Sequence, residues 1–320
     1  VLEGDRADPA GGEWEPTRNV LWVCHVSVGM FDEILFPTDG SDGAAAGLGF
    51  ALDVAASRDA TLHLLSVANT TRGALDTLAQ DETLEERARE AVDEAAERAR
   101  ERGVTVVEEV ERGNPYRVVC DYAASAGVDV VVMPTRGRRG LERFLLGSTT
   151  ERVVRRSEVP VLTVRPNGDA TAAYPFEDVL VGVDGSRCGR AALDVGVAVA
   201  DQEGAALHLL SVVDVAALGP DVRTEALQDA LEVDARNVVD DAAAHASSAG
   251  VDPAAEVVEF GGSVPGVIRT YVEDNDVDVL VVGTHGRTGF DRYVLGSVAE
   301  FLVRTSPVPV LTVRAPERDE

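Results

Sequence analysis

Val279–Ser297 reads VLVVGTHGRTGFDRYVLGS, and this stretch decides the fold. Four apolar residues, Val279, Leu280, Val281 and Val282, stop at Gly283, and a glycine-bearing turn through Gly286 and Gly289 leads to Gly296-Ser297, which opens a helix. The spacing is G-x2-G-x9-G-S. An apolar run without alternation predicts a strand buried on both faces of a parallel sheet, and its carboxyl end is where open α/β sheets bind ligands. Glycines there let the backbone come close to a ligand and reach positive φ, while Ser297 is expected to cap the helix and leave N–H groups facing outward. Together these features predict an anion site, most naturally one for phosphate.

The stretch occurs a second time, over Val128–Ser148, as VDVVVMPTRGRRGLERFLLGS. Gly137, Gly147 and Ser148 stand 149 positions before Gly286, Gly296 and Ser297. Pro134 takes the place of Gly283, and Arg136 that of His285. The chain therefore carries two copies of one unit, and its 320 residues suffice for two domains with a substantial core in each.

Acidic residues number 56 against 29 Lys and Arg, a formal charge of −27, and all 29 are arginine because the sequence has no lysine. Such a charge repels nucleic-acid phosphates and anionic lipid, so neither is an expected partner. It resembles the solvated acidic surfaces of halophilic proteins, for which the screening length shrinks to about 3 Å at 1 M salt. Cys24, Cys120 and Cys188 share no metal-ligand spacing and cannot all pair within one chain; they read as reduced thiols in a cytosolic protein. No apolar run approaches the ~20 residues that span a membrane.

Residues 1–29 are rich in Gly, Pro and charge and read as a flexible extension, with Met30 just before the first repeat. The first unit, 30–165, opens with the strand signal Ile34-Leu35-Phe36 and stops at Pro37-Thr38-Asp39-Gly40-Ser41. An Ala- and Leu-rich helix to Ala56 follows, then a strand over Thr61–Val67, a long helix from about Glu82 to Arg102, and a more polar strand, Val104–Val110, expected at the sheet edge. A helix over Pro115–Ser125, the buried strand Val128–Met133, the glycine turn, a helix after Ser148 and the strand Val161–Val164 complete it. Residues 166–177 read as a linker, and 178–315 retrace the plan, with a long helix over Glu225–Ser248. Asp39 falls on Asp184, and His63 on His208, 145 positions apart in both cases. Alternation of strand and helix implies parallel strands with right-handed crossovers.

An aspartate closing the first strand, the G-x2-G-x9-G-S turn after the fourth and a fifth strand ending P-V-L-T-V-R together resemble the universal stress protein family, in tandem form. The resemblance covers residues 31–165 and 178–314. It implies two open five-stranded parallel sheets of strand order 3-2-1-4-5, an adenine nucleotide alpha hydrolase-like arrangement, with ATP, accompanied by Mg²⁺, at the carboxyl edge of each. In the second unit it places Asp184 and the backbone of Gly182 and Val183 against adenosine, with Val212 and Val282 lining the base. Gly283, Gly286, Gly296, Ser297 and Val298 would hold ribose and phosphates, and His285 would lie near them. The first-unit counterparts are Pro37, Asp39, Val67, Met133, Gly137, Gly147, Ser148 and Thr149. Pro134 removes any role there that needs an N–H donor or positive φ, whereas Arg136, Arg138, Arg139 and Arg143 favour a phosphate, which leaves the first site open.

Plainer readings stand beside these. Asp39 and Asp184 also suit a turn before a helix, Ser148 and Ser297 also suit helix caps, and His63 and His208, inside strands, read as hydrogen-bonded structural groups. The absence of lysine removes a P-loop and Schiff-base chemistry, and Asp-Gly-Ser stands where a dinucleotide fold wants G-x-G-x-x-G. The expected function is a cytosolic, ATP-binding regulatory module of a stress response, with an unspecified protein partner and no catalytic residue or metal site. A slow ATP hydrolase and a ligand-free scaffold are the alternatives. The two units are expected to pack as an intrachain pseudo-dimer, last strands together, with further homo-oligomers through the same kind of surface.

Lowering the salt concentration should lower the melting midpoint, because self-repulsion of the −27 charge is screened only in concentrated salt. A midpoint unchanged between dilute and molar salt, measured by thermal unfolding, contradicts this.

Overall fold

The computed structural model describes residues 29–70, 78–135, 146–165, 174–216, 225–286 and 295–316. Residues 1–28, most of the linker, Gly289, and Gly137 with Arg136, Arg138, Arg139 and Arg143 lie outside the described residues. The first half runs β1 (Glu33–Pro37), α1 (Asp42–Arg58), β2 (Thr61–Ala68), α2 (Leu78–Glu101), β3 (Thr105–Arg112), α3 (Pro115–Ser125), β4 (Val130–Pro134), α4 (Ser148–Arg156) and β5 (Val161–Val164). The second repeats it as β6 (Asp178–Gly182), α5 (Arg187–Glu203), β7 (Ala206–Asp214), α6 (Glu225–Ser248), β8 (Ala255–Gly261), α7 (Val264–Asp274), β9 (Val279–Gly283), α8 (Ser297–Thr305) and β10 (Val310–Val313).

The unalternating apolar runs do form the inner strands. All five residues of β4 and all four of β5 and β10 are buried. The strand expected from Val128 begins at Val130, and the one expected from Val277 begins at Val279. In both, the aspartate before the strand turns its side chain back: Asp129 accepts the amides of Asp32 and Glu33, and Asp278 those of Glu177 and Asp178. The polar strands β3 and β8 lie at the two outer edges, where one side of the ladder faces solvent.

Within each half the strand order is 3-2-1-4-5, as expected, but the two sheets are not separate. They join into one ten-stranded sheet, β3-β2-β1-β4-β5-β10-β9-β6-β7-β8. Pairing is parallel within each half and antiparallel only between β5 and β10. Leu162 opposes Leu311 at the middle of that seam, with Thr163 opposite Val310 and Val161 opposite Thr312. Since 162 and 311 are equivalent repeat positions, a pseudo-two-fold axis passes between them.

The contacts around this axis come in pairs. The Thr163 hydroxyl donates to the Val310 carbonyl and the Thr312 hydroxyl to the Val161 carbonyl, both at 3.1 Å. The Arg165 guanidinium donates to the Thr305 and Ser306 carbonyls at 3.3 and 3.2 Å, and that of Arg314 to the Arg156 carbonyl at 3.2 Å. Each arginine thus satisfies carbonyls at the carboxyl end of the other half's last helix, where a cation also opposes the helix dipole. On the other sheet face, Phe31, Phe50, Tyr174 and Phe176 form an aromatic cluster, and Arg58 pairs with Glu203, whose carboxylate also accepts from the Tyr174 hydroxyl.

His63 and His208 are structural, as expected. Each ring lies between a tyrosine hydroxyl and a carboxylate, Tyr122 and Glu33 in one half, Tyr271 and Asp178 in the other, at 2.8–2.9 Å. No helix among the described residues is long and apolar enough to cross a membrane.

Arg165→Ala and Arg314→Ala should each lower stability by about 0.3–1 kcal/mol, the ordinary worth of a cation at a helix carboxyl end. Chemical denaturation checks this; an unchanged midpoint in both variants would show that the seam does not draw on these bonds.

Candidate functional site

The strand order reverses between β1 and β4 in the first half and between β6 and β9 in the second, the place at which open α/β sheets bind ligands. The β6–β9 ladder ends at Val181 opposite Val281. Along β9, Leu280 and the following Thr284 donate toward β10, to Pro309 and Val313, so alternation points the Gly283 amide toward β6, beyond the last rung.

On the β6 side the chain turns through Asp184-Gly185-Ser186. Gly185 takes φ of 73°, which a side chain would strain. One Asp184 oxygen accepts the Ser186 amide at 2.9 Å, and the Ser186 hydroxyl accepts the Gly189 amide, capping α5. The plain reading of Asp184 as a turn residue therefore holds for Oδ1. Its other oxygen faces the glycine turn: a Cβ on Gly286 would lie 3.0 Å from Oδ2, and one on Gly189 would lie 2.4 Å from Oδ1. The carboxylate thus sits in a slot that exists because both neighbours lack side chains.

A neck closes the turn. Thr284, 1 % exposed, donates its amide to Val313 and accepts the Gly296 amide on its carbonyl at 2.9 Å. Thr135 does the same in the first half, donating to Val164 and accepting from Gly147 at 2.8 Å. The Gly147 and Gly296 amides, expected to meet phosphate, are therefore already engaged. Ser148 and Ser297 are not the caps either: each is the first helical residue, and the cap position belongs to Gly147 or Gly296 in extended conformation, with no side-chain cap bond. This arrangement differs from α1 and α5, whose first turns are closed by Ser41 and Ser186. First-turn amides have no acceptor within a helix, so at α4 and α8 the amides of residues 148–150 and 297–299 are the ones available to an anion. Ser297 is exposed and Val298 half-buried, as are Ser148 and Thr149.

The three motif glycines do not need positive φ. A Cβ on Gly283 would fall 2.7 Å from the backbone carbon of Cys188, and one on Gly296 would fall 3.1 Å from the Thr284 carbonyl oxygen. With Gly286 against Asp184, all three are demanded by close approach within the protein. The sequence-based expectation of positive φ is corrected accordingly.

Val212 and Val282 lie on one face of the sheet, with Gly182 between them in reach of the Val282 side chain. Val183 belongs to the opposite face, and its amide is taken by the Leu210 carbonyl, so it offers the crevice no donor. His285 presents its carbonyl to the Ser186 hydroxyl and its Nδ1 to the Thr284 hydroxyl, at 3.3 and 3.0 Å. Of the cysteines, Cys120 and Cys188 are free thiols; burial pushes Cys120 up to about 11, which keeps it protonated and unreactive.

In the first half, Asp39 makes the same turn, accepting the Ser41 amide at 3.1 Å, and Val67 and Met133 supply the apolar wall. Pro37 and Pro134 stand where Gly182 and Gly283 do. Two contributors went unread in the sequence: the threonines that close both necks, and Gly189, whose missing side chain makes room for Asp184. The repeat did carry the first signal, since Thr135 and Thr284 share the 149-residue offset.

The profile of the Universal stress protein family matches residues 30–165 and 175–314, so the chain belongs to this family, with the domain in tandem. It is similar to a universal stress protein of Mycobacterium tuberculosis, 27 % identical over 293 residues, covering 88 % of this chain and 96 % of that protein. A universal stress protein of Methanocaldococcus jannaschii is 32 % identical over 143 residues, 42 % of this chain and 83 % of the relative. The crystal structure of a universal stress protein from Archaeoglobus fulgidus superposes with a TM-score of 0.67 at 22 % identity, covering 88 % of this chain and 98 % of that one, a likeness of fold.

Gly283→Ala should destabilise the ligand-free protein by roughly 1–3 kcal/mol, because the added methyl meets helix backbone rather than a movable side chain. Urea unfolding without nucleotide measures it; an unchanged midpoint would show that this glycine is not set by packing.

Proposed function

We propose that this chain is a cytosolic, ATP-binding regulatory module in which nucleotide, accompanied by Mg²⁺, occupies the crevice between β6 and β9. The observation that carries the reading is the first turn of α8, which has a glycine at its cap and is tied to Thr284, two residues before the Gly286 that borders the Asp184 carboxylate. The residues fit the parts of such a ligand. Val212, Val282 and Gly182 suit a flat base, Asp184 suits ribose hydroxyls, and the amides of Ser297 and Val298 with the Ser297 hydroxyl suit phosphates. Gly283 and Gly286 shape the floor, and Gly296 holds the helix in place through its neck bond. In so acidic a molecule, backbone amides at a helix start provide local positive potential. Membership of the universal stress protein family supports a role in stress response through changed interactions rather than turnover.

A ligand that binds only the folded state adds about 2.7 kcal/mol of stability at 100 times its Kd. Thermal unfolding in concentrated salt with and without ATP and Mg²⁺ should show a rise in midpoint that grows with ATP concentration. No shift at millimolar ATP would overturn the assignment.

A further inference from the structure

We infer that the chain holds one nucleotide, in its second half, and that the first half has become a structural partner whose crevice is closed to it. The inference rests on the ATP reading above and adds an inequality between two halves of the same fold.

Four differences converge on the first crevice. Pro37 replaces Gly182 and has no N–H, so the β1–β4 ladder stops at Leu35 opposite Val131, one rung earlier than its counterpart at Val181 opposite Val281. Pro134 replaces Gly283 and removes the amide that points across the crevice; its ring packs against α1, where a Cβ on Gly47 would lie 3.2 Å from the proline Cβ. The carbonyl of Pro134 is then claimed by the buried Thr150 hydroxyl at 2.9 Å, whereas the position equivalent to Thr150 in α8 is Ala299, which has no hydroxyl. Finally, Ala44 stands where Gly189 does, each donating its amide to the capping serine three residues before it. A Cβ at that place would lie 2.4 Å from the Asp184 carboxylate, so Ala44 crowds the space beside Asp39 that Gly189 leaves open beside Asp184, although Asp39 keeps the equivalent bond to the Ser41 amide.

Both halves keep the α4 and α8 amides without a side-chain cap. An anion alone could meet either helix. Among the described residues, what the first half lacks is the room and the donors for the base and sugar beside it, which makes the discrimination one of nucleoside rather than of phosphate.

Equilibrium dialysis of the full chain with labelled ATP and Mg²⁺ in concentrated salt should saturate at one nucleotide per chain. Saturation at two would overturn the inference and leave the ATP reading intact, whereas no binding would overturn the ATP reading and with it this inference. Ser297→Asp, an exposed change that sets a carboxylate against the phosphates, should weaken binding at least tenfold with no residual site. A full remaining site in that variant would place the nucleotide in the first half and overturn the inference. Pro37→Gly, Ala44→Gly, Pro134→Gly and Thr150→Ala together should move saturation toward two; a folded quadruple variant that stays at one would show that these residues do not close the crevice.

Discussion

The hydrogen bond from the Gly296 amide to the Thr284 carbonyl is the constraint on which the site depends. It joins the end of β9 to the start of α8, so that whatever path the intervening turn takes, the helix begins beside the end of the strand. The bond favours a glycine, since a Cβ would crowd the same carbonyl at 3.1 Å. The glycine in turn leaves the helix without a side-chain cap, a loss of at most a few tenths of a kcal/mol relative to a good cap. The neighbouring helix α5 has its serine cap and therefore competes less for an anion. One backbone contact thus fixes both the position and the open valence of the candidate site.

A second constraint sits at the seam between the halves. A five-stranded sheet of order 3-2-1-4-5 leaves its fifth strand exposed along one edge, a surface open to further pairing. Here β5 and β10 cover each other, and the threonine and arginine pairs across the dyad satisfy groups that a lone half would leave to water. This explains how the first half can lose a ligand crevice and still be required. Its contribution to the second half passes through β5, α1 and the aromatic cluster, none of which depends on an open mouth between β1 and β4.

The charge distribution follows the same division. In a chain with 56 acidic residues, Arg58, Arg165 and Arg314 all lie along the seam, where they bind helix-end carbonyls or the buried carboxylate of Glu203. Among the described residues, the first turn of α8 offers the second site positive potential through its backbone amides. Both histidines inside strands lie in hydrogen-bonded groups repeated in each half and stand apart from the crevice mouth.

Much of this was legible in the residues. Apolar runs marked β4 and β9, the helices expected over Pro115–Ser125 and Glu225–Ser248 match α3 and α6, and the repeated G-x2-G-x9-G-S marked the duplication. These features are local, or recur at a fixed offset, so a single chain displays them. Tertiary structure decided the rest. Serine is the better cap by preference, yet the path of the chain into α4 and α8 gives that position to glycine. Gly283 answers to Cys188 and Gly286 to Asp184, neighbours close to a hundred residues away in sequence. Val183 faces away from Val212 and Val282 because alternation along a strand is only assigned to a face once its register is set. The joining of two sheets into one was likewise outside the reach of either repeat read alone, since an antiparallel pair between Leu162 and Leu311 exists only when both halves are folded and their edges meet.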